Sequence, residues 1–246
     1  MITVYYSRVS PFLEEDTFLN IRTDCGACCP LFQLQKVSRD RREKTLRMKN
    51  EAAKLRSLAA GNLLHHALCE KLGYSFESTK PFSIGYGEKG KPYLTEYPGI
   101  HFNLSHSGDY VCCAVGDVPV GVDIQEKVKV HEKLAERFFT PADQRMLSEC
   151  GEEERQDLFF RMWSIKESYL KLTGEGLSGG LAEFEILWEE KKIVQRPVRQ
   201  NGKSGDGMKT ADAYFEEFLQ LKGYSFCVCT GYPMGQVGWK ACFEMQ

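Results

Sequence analysis

The sequence predicts an α+β fold built of two pseudo-symmetric halves, residues 1–120 and 121–246, with a ligand cleft between them. Three observations predict it. A long stretch of helical periodicity is followed by short strand-like runs, and this order occurs twice along the chain. The halves echo each other locally, since Gly108-Asp109-Tyr110-Val111-Cys112-Cys113-Ala114-Val115-Gly116 is matched in pattern by Gly223-Tyr224-Ser225-Phe226-Cys227-Val228-Cys229-Thr230-Gly231. At 246 residues and 42% apolar content, the chain is long enough for one large core or two modest ones. In a duplicated unit the space between copies is the natural ligand site.

The elements follow in order. Residues 1–8 alternate as a strand. The segment from about Asp40 to Leu72 reads as one long helix or two, ended by Gly73, with Leu55, Leu58, Ala59, Leu63 and Leu64 as its apolar stripe. Strand-like pieces follow at Ile84 to Tyr86, His101 to Ser105, Tyr110 to Val115 and Val120 to Ile124, separated by the Gly and Pro that turns require. The plan then repeats. A helical stretch from about Pro141 to Leu172 ends at Gly174, and strands are expected at Phe184 to Trp188, Ala213 to Gln220 and Tyr224 to Thr230. Between them Lys191 to Lys209 is polar, contains Asn201-Gly202 and Ser204-Gly205-Asp206-Gly207, and reads as a flexible excursion between two strands.

Composition narrows the function. A formal net charge of -2 argues against a nucleic-acid binder. Charge is uneven, however: Lys36 to Arg56 holds nine Lys or Arg against three acids, Asp40, Glu43 and Glu51. Such a run is ordinarily a solvated helix face, and a phosphorylated ligand elsewhere in the reading would give it a role. The start, Met-Ile-Thr-Val-Tyr-Tyr, lacks the features of a signal peptide and no apolar run has the length of a membrane span, so a soluble, cytoplasmic protein with no membrane partner is expected. The ten cysteines are accordingly expected as free thiols. Cys25-Gly-Ala-Cys28-Cys29 contains a lone CxxC without the second close Cys/His pair that structural zinc requires.

Two segments carry chemistry. In Val120-Gly121-Val122-Asp123-Ile124-Gln125, period-2 alternation puts Asp123 and Gln125 on one face of a strand end. In Phe160 to Lys171, Trp163, Glu167 and Lys171 align at i, i+4 and i+8 on a helix. One carboxylate from each element can meet at a divalent ion. A site of two or three protein oxygens suits Mg²⁺, which keeps several waters and takes further ligands from substrate phosphates, and so the pattern points to phosphate chemistry.

These motifs together resemble the 4'-phosphopantetheinyl transferases of the surfactin-synthetase-activating type. The resemblance spans roughly residues 1 to 190. It rests on Gly90-Lys91-Pro92, Phe102-Asn103-Leu104-Ser105-His106-Ser107, Val120-Gly121-Val122-Asp123-Ile124 and Phe160-x-x-Trp163-x-x-Lys166-Glu167-Ser168-x-x-Lys171, followed by Gly174-x-Gly176-Leu177. Upstream, Arg41-Arg42-Glu43-Lys44 and Arg56-Ser57-Leu58 fit as well. The resemblance implies two similar α+β halves with coenzyme A between them. It also implies Mg²⁺-dependent transfer of phosphopantetheine to a serine of an apo acyl or peptidyl carrier protein, releasing adenosine 3',5'-bisphosphate. Asp123, Gln125 and Glu167 would then hold the metal, and Lys171 would reach the pyrophosphate. Arg41, Lys44, Lys91, Ser105 and His106 would hold the 3'-phosphate and adenosine end. Glu167 is the expected general base and His106 its rival, since a histidine titrates near neutrality. Gln125 departs from the pattern, because many relatives have Glu there; its side chain offers a carbonyl oxygen without charge, and Glu126 points to the other face.

Several of these residues have plainer readings. Trp163 and Tyr169 are expected to pack and fix the helix. His65, His66 and His131 have no partner pattern and are read as structural. Glu167 and Lys171 alone would be an ordinary surface pair worth about 0.3 to 0.5 kcal/mol. Gly121 is either a strand glycine or a place for backbone to approach phosphate. Two rival functions stand beside the transferase, which is expected as a monomer: a coenzyme A or carrier-protein binding module without turnover, and a Mg²⁺-dependent nucleotide phosphohydrolase.

Overall fold

The computed structural model describes residues 1–9, 33–75, 78, 80–129, 133–176, 180–195 and 213–242. The CxxC at Cys25, His131, Leu177 and most of the polar excursion after Lys191 lie outside these residues. The chain divides into two compact units. One comprises Met1–Val118 with Gln236–Gln246, the other Pro119–Gly235.

In the first unit, β1 (Ile2–Arg8), β4 (His101–Ser107), β5 (Tyr110–Gly116) and β11 (Gly238–Ala241) form a sheet in the order β11-β1-β5-β4. A hairpin of β2 (Ile84–Tyr86) and β3 (Pro92–Leu94) stands beside it. The basic helical run is two helices, α1 (Arg39–Arg47) and α2 (Glu51–Leu72). They separate at Asn50, whose side chain accepts from the Ala53 amide and so caps the longer helix. Gly73 takes the left-handed conformation that closes it, at φ 71°. The predicted stripe Leu55, Leu58, Ala59, Leu63 and Leu64 is buried, and it forms one core with Phe102, Val111, Cys113 and Val115.

The second unit carries the sheet β6-β10-β9-β8-β7, made of β6 (Val120–Glu126), β7 (Phe184–Leu187), β8 (Lys192–Gln195), β9 (Ala213–Glu217) and β10 (Tyr224–Thr230). Its helices are α3 (Lys133–Phe138), α4 (Pro141–Glu149) and α5 (Glu152–Thr173). The helix expected from Pro141 to Leu172 is therefore broken. At its start Thr140 and Asp143 form a reciprocal capping box with Pro141 at the first position, and at Cys150 and Gly151 the backbone becomes extended before α5 begins. Gly174 ends α5 in the left-handed region, at φ 75°.

The echoed segments are β5 and β10, each following a glycine of positive φ and each flanked on both sides by other strands. The sequence reading carries the second half to residue 246, whereas the last strand belongs to the first unit: β11 pairs in parallel with β1, Thr3 opposite Gly238 and Tyr6 opposite Ala241.

Among the described residues no helix is long and apolar enough to cross a membrane. The seven described cysteines are free. Burial pushes the Cys113 and Cys227 thiols well up, which keeps them protonated as small apolar side chains.

Candidate functional site

The acidic group is assembled by β6 and α5. Strand alternation puts Gly121, Asp123 and Gln125 on one face of β6, and on β10 their cross-strand partners are Cys229, Cys227 and Ser225. These are small side chains, and the helix over them presents small residues in turn. Ser164 and Ser225 share a 2.6 Å hydrogen bond between hydroxyls, and the Ser168 hydroxyl donates to the Cys227 sulfur at 3.5 Å. The closest approach is at Gly121. A Cβ there would lie 2.0 Å from the Ser168 carbonyl oxygen and 2.5 Å from the Leu172 nitrogen. Helix backbone thus fills the space for which the sequence had offered phosphate.

This close packing brings the neighbouring residues Glu167 and Lys171 to Asp123. The Lys171 ammonium donates to Asp123 Oδ1 at 2.6 Å, and the carboxylate is buried. Glu167 is half-buried. Burial, reinforced by the Asp123 charge and opposed by Lys171, holds its pKa above the usual glutamate range. Gln125, also half-buried, lies two residues along the same face of β6. Of the four side chains predicted for one centre from this unit, Asp123, Glu167 and Lys171 are thereby brought together, and Gln125 stays on the same strand face as Asp123.

Gly121→Ala is expected to force α5 off the strand, since neither atom in its way can rotate aside. Destabilisation of about 1 to 3 kcal/mol in urea unfolding is expected, with transfer falling further than stability because Glu167 and Lys171 move with the helix.

The other predicted residues belong to the first unit. Arg41 lies against α2, with its Cδ 2.6 Å from where a Cβ of Gly61 would be, and its Nη1 donates to the Ser57 carbonyl at 3.1 Å. Burial lowers its pKa, against the opposing influence of Tyr86 and Cys113. Lys44, one turn along α1, is exposed. Lys91 enters β3 half-buried, and its charge helps to depress the pKa of His101, which burial lowers most. On β4, Ser105 is buried and its neighbour His106 is exposed, as alternation requires.

The aromatic residues of the helix are structural. Trp163 stacks on Phe159 with ring centroids 5.8 Å apart and meets Phe138 edge-on, while Tyr169 is buried edge-on against Phe184. Lys166 has a role that sequence reasoning did not assign. It is fully buried, ion-paired with Asp143 and 5.4 Å from the centre of the Phe139 ring. Helical spacing gives the signal for it, because Lys166 falls among the buried residues Met162, Ile165 and Leu170 on the side away from solvent.

Two acids and a lysine thus meet where a strand and a helix are tightly packed, and comparison with known proteins gives the family. Residues 119–229 match the model of the 4'-phosphopantetheinyl transferase superfamily, and residues 30–117 match that of the 4'-phosphopantetheinyl transferase N-terminal domain. A 4'-phosphopantetheinyl transferase of Bacillus subtilis is 32% identical over 199 residues, covering 80% of this chain and 83% of the relative. The transferase Sfp of B. subtilis strain 168 is 30% identical over 197 residues, with the same coverage. The transferase gsp of Aneurinibacillus migulanus is 31% identical over 199 residues, covering 81% and 78%. The chain belongs to the 4'-phosphopantetheinyl transferases, and its α+β fold is that of an enzyme of this class.

Proposed function

We propose that this transferase moves 4'-phosphopantetheine from coenzyme A to a serine of an apo acyl or peptidyl carrier protein, with Mg²⁺, acting as a monomer. The observation that carries the reading is the grouping of Asp123, Glu167 and Lys171. In the reaction the serine oxygen bonds to the phosphorus nearer the pantetheine, the bond from that phosphorus to the bridging pyrophosphate oxygen breaks, and adenosine 3',5'-bisphosphate leaves. Glu167 takes the serine proton. Its raised proton affinity suits it to that task better than an exposed carboxylate. Lys171 is the fixed positive charge available to the pyrophosphate oxygens as they gain charge. In the other unit Arg41, Lys44, Lys91, Ser105 and His106 supply cations and hydrogen-bond donors for the 3'-phosphate and adenosine.

The donor set fits the metal. Asp123, Glu167 and the Gln125 carbonyl are hard oxygen ligands of the number that suits Mg²⁺, which when bound neutralises pyrophosphate charge. The Asp123 charge that raises the Glu167 pKa is the repulsion a divalent cation relieves. Among the described residues no group of three or more His, Cys, Asp or Glu is arranged to hold a metal. A centre of two acids and an amide is compatible with that. Replacing the amide oxygen with a charged one by Gln125→Glu is expected to leave transfer intact and to lower the Mg²⁺ concentration giving half-maximal rate. A raised requirement would put residue 125 outside the metal shell.

The test is intact mass spectrometry of apo carrier proteins incubated with the enzyme, coenzyme A and Mg²⁺, beside an EDTA control. A gain of one phosphopantetheinyl group, absent in EDTA, is expected. Cleaved coenzyme A with unmodified carrier would instead mean a phosphohydrolase, and binding without turnover would mean a binding module.

A further inference from the structure

Glu217, Cys227 and Asp123 lie opposite one another on β9, β10 and β6, a single row across three strands. Helix α5 touches every member of that row. Arg161 donates from Nε and Nη2 to the two carboxylate oxygens of Glu217, both at 2.8 Å. The Ser168 hydroxyl donates to the Cys227 sulfur, and the Lys171 ammonium pairs with Asp123. Arg161, Ser164, Ser168 and Lys171 stand at i, i+3, i+7 and i+10, which puts them on one face of the helix. An ion pair thus closes each end of the row, and the small side chains of Ser168 and Cys227 meet between them.

These contacts fix different things. The close approach at Gly121 sets how deeply α5 lies over the strand. An ammonium on a flexible stem attracts Asp123 without imposing a direction. The planar fork of Arg161 does impose one, because two parallel bonds set orientation as well as distance. Its guanidinium also lies 4.9 Å over the Trp188 ring, which packs edge-on to Phe215, so the fork is held on a second side. The Glu217 side chain is only 12% exposed, unlike the surface pairs that solvent weakens.

We propose that Arg161 and Glu217 are positioning residues for transfer: their pair fixes the rotation and axial register of α5, and so the placement of Glu167 and Lys171 against Asp123. Arg161 falls at a position the helix motif leaves open, and Glu217 lies beyond that motif. The effect on turnover rests on the roles given above to Glu167 and Lys171; the mechanical coupling along the helix does not. Arg161 and Lys171 are about 15 Å apart along the axis, farther than independent sites ordinarily influence each other.

Arg161→Lys tests it, since lysine keeps the charge and removes the fork. With coenzyme A, apo carrier and saturating Mg²⁺, kcat is expected to fall on the order of tenfold with both KM values unchanged, less than the roughly hundredfold that a misplacement of about 1 Å can cost. Ile193→Val, in the core of the same unit but off the row, should lower the melting temperature and leave kcat at the wild-type value, which separates placement from stability. A second arm compares melting temperatures of Arg161→Lys, Lys171→Met and the double variant. The double variant should lose less than the two single losses added together, because either change alone already frees the helix. Additive losses overturn the proposal, as does a kcat of Arg161→Lys equal to wild type. A raised KM with kcat intact overturns it too, and makes Arg161 a binding residue. If wild type modifies no carrier, the reaction read above fails and the melting temperatures alone decide. Glu217→Gln replaces Arg161→Lys in both arms should the lysine variant fold poorly.

Discussion

Glu167→Gln is expected to lower the rate of phosphopantetheinyl transfer by about 10²- to 10⁴-fold, the contribution of a positioned base, while making the metal-free protein more stable at neutral pH. The two effects have one cause. Burial and the charge of Asp123 raise the Glu167 pKa above that of the unfolded chain. Below the ordinary glutamate range both states hold the proton, and wild type and variant should be equally stable. As pH rises the unfolded chain ionises first while the folded protein keeps its proton, so wild-type stability is lost progressively through the raised pKa. An amide has nothing to ionise and escapes that loss. Urea unfolding in EDTA at about pH 3 and about pH 8 should give curves that coincide at the lower pH and separate at the higher, with the variant ahead. Coincidence at both would mean that Glu167 is not held under strain, and normal turnover by the variant would remove its assignment as base.

Asp143→Ala should cost about 3 to 5 kcal/mol, the usual result of stripping the partner from a buried charge. Lys166 is fully buried and Asp143 nearly so, and the same Asp143 oxygen accepts from the Lys166 ammonium and from the Thr140 amide. Alanine would leave an ammonium inside the protein against Phe139 and also undo the cap that starts α4. The double change Lys166→Met with Asp143→Asn removes both charges together, and most of the loss should be recovered. Thermal unfolding of the single and double variants measures the difference. Asparagine can still accept from the Thr140 amide, so a double variant no better than Asp143→Ala would show that the attraction within the ion pair, and not relief of a lone buried charge or the cap, carries the stability.

What was legible in the sequence had a local physical cause. The stripe from Leu55 to Leu64 has helical period, and Gly73 and Gly174 both take the positive φ that ends a helix. Alternation alone put Asp123 and Gln125 on one face of their strand. The misses were contextual. Strands of three or four residues, β3, β8 and β11, are too short to alternate, and only their neighbours define them. The break falls at Cys150 and Gly151, two poor helix formers whose local signal was masked by the helical pattern on either side. The burial of Lys166 depends on Asp143, 23 residues earlier and on another helix. Gly121 could be recognised as special, although not that a helix would be the backbone pressed against it.

The pairing of β11 with β1 has a consequence for biosynthesis. When the ribosome has released the first 118 residues, β1 still has one edge bare, because its parallel neighbour begins at Gly238. An unpaired strand edge invites pairing with other chains, and closing so long an interval is a slow, entropically costly step. Nascent chains therefore leave the ribosome with an open sheet edge that is covered only after the whole second unit has emerged.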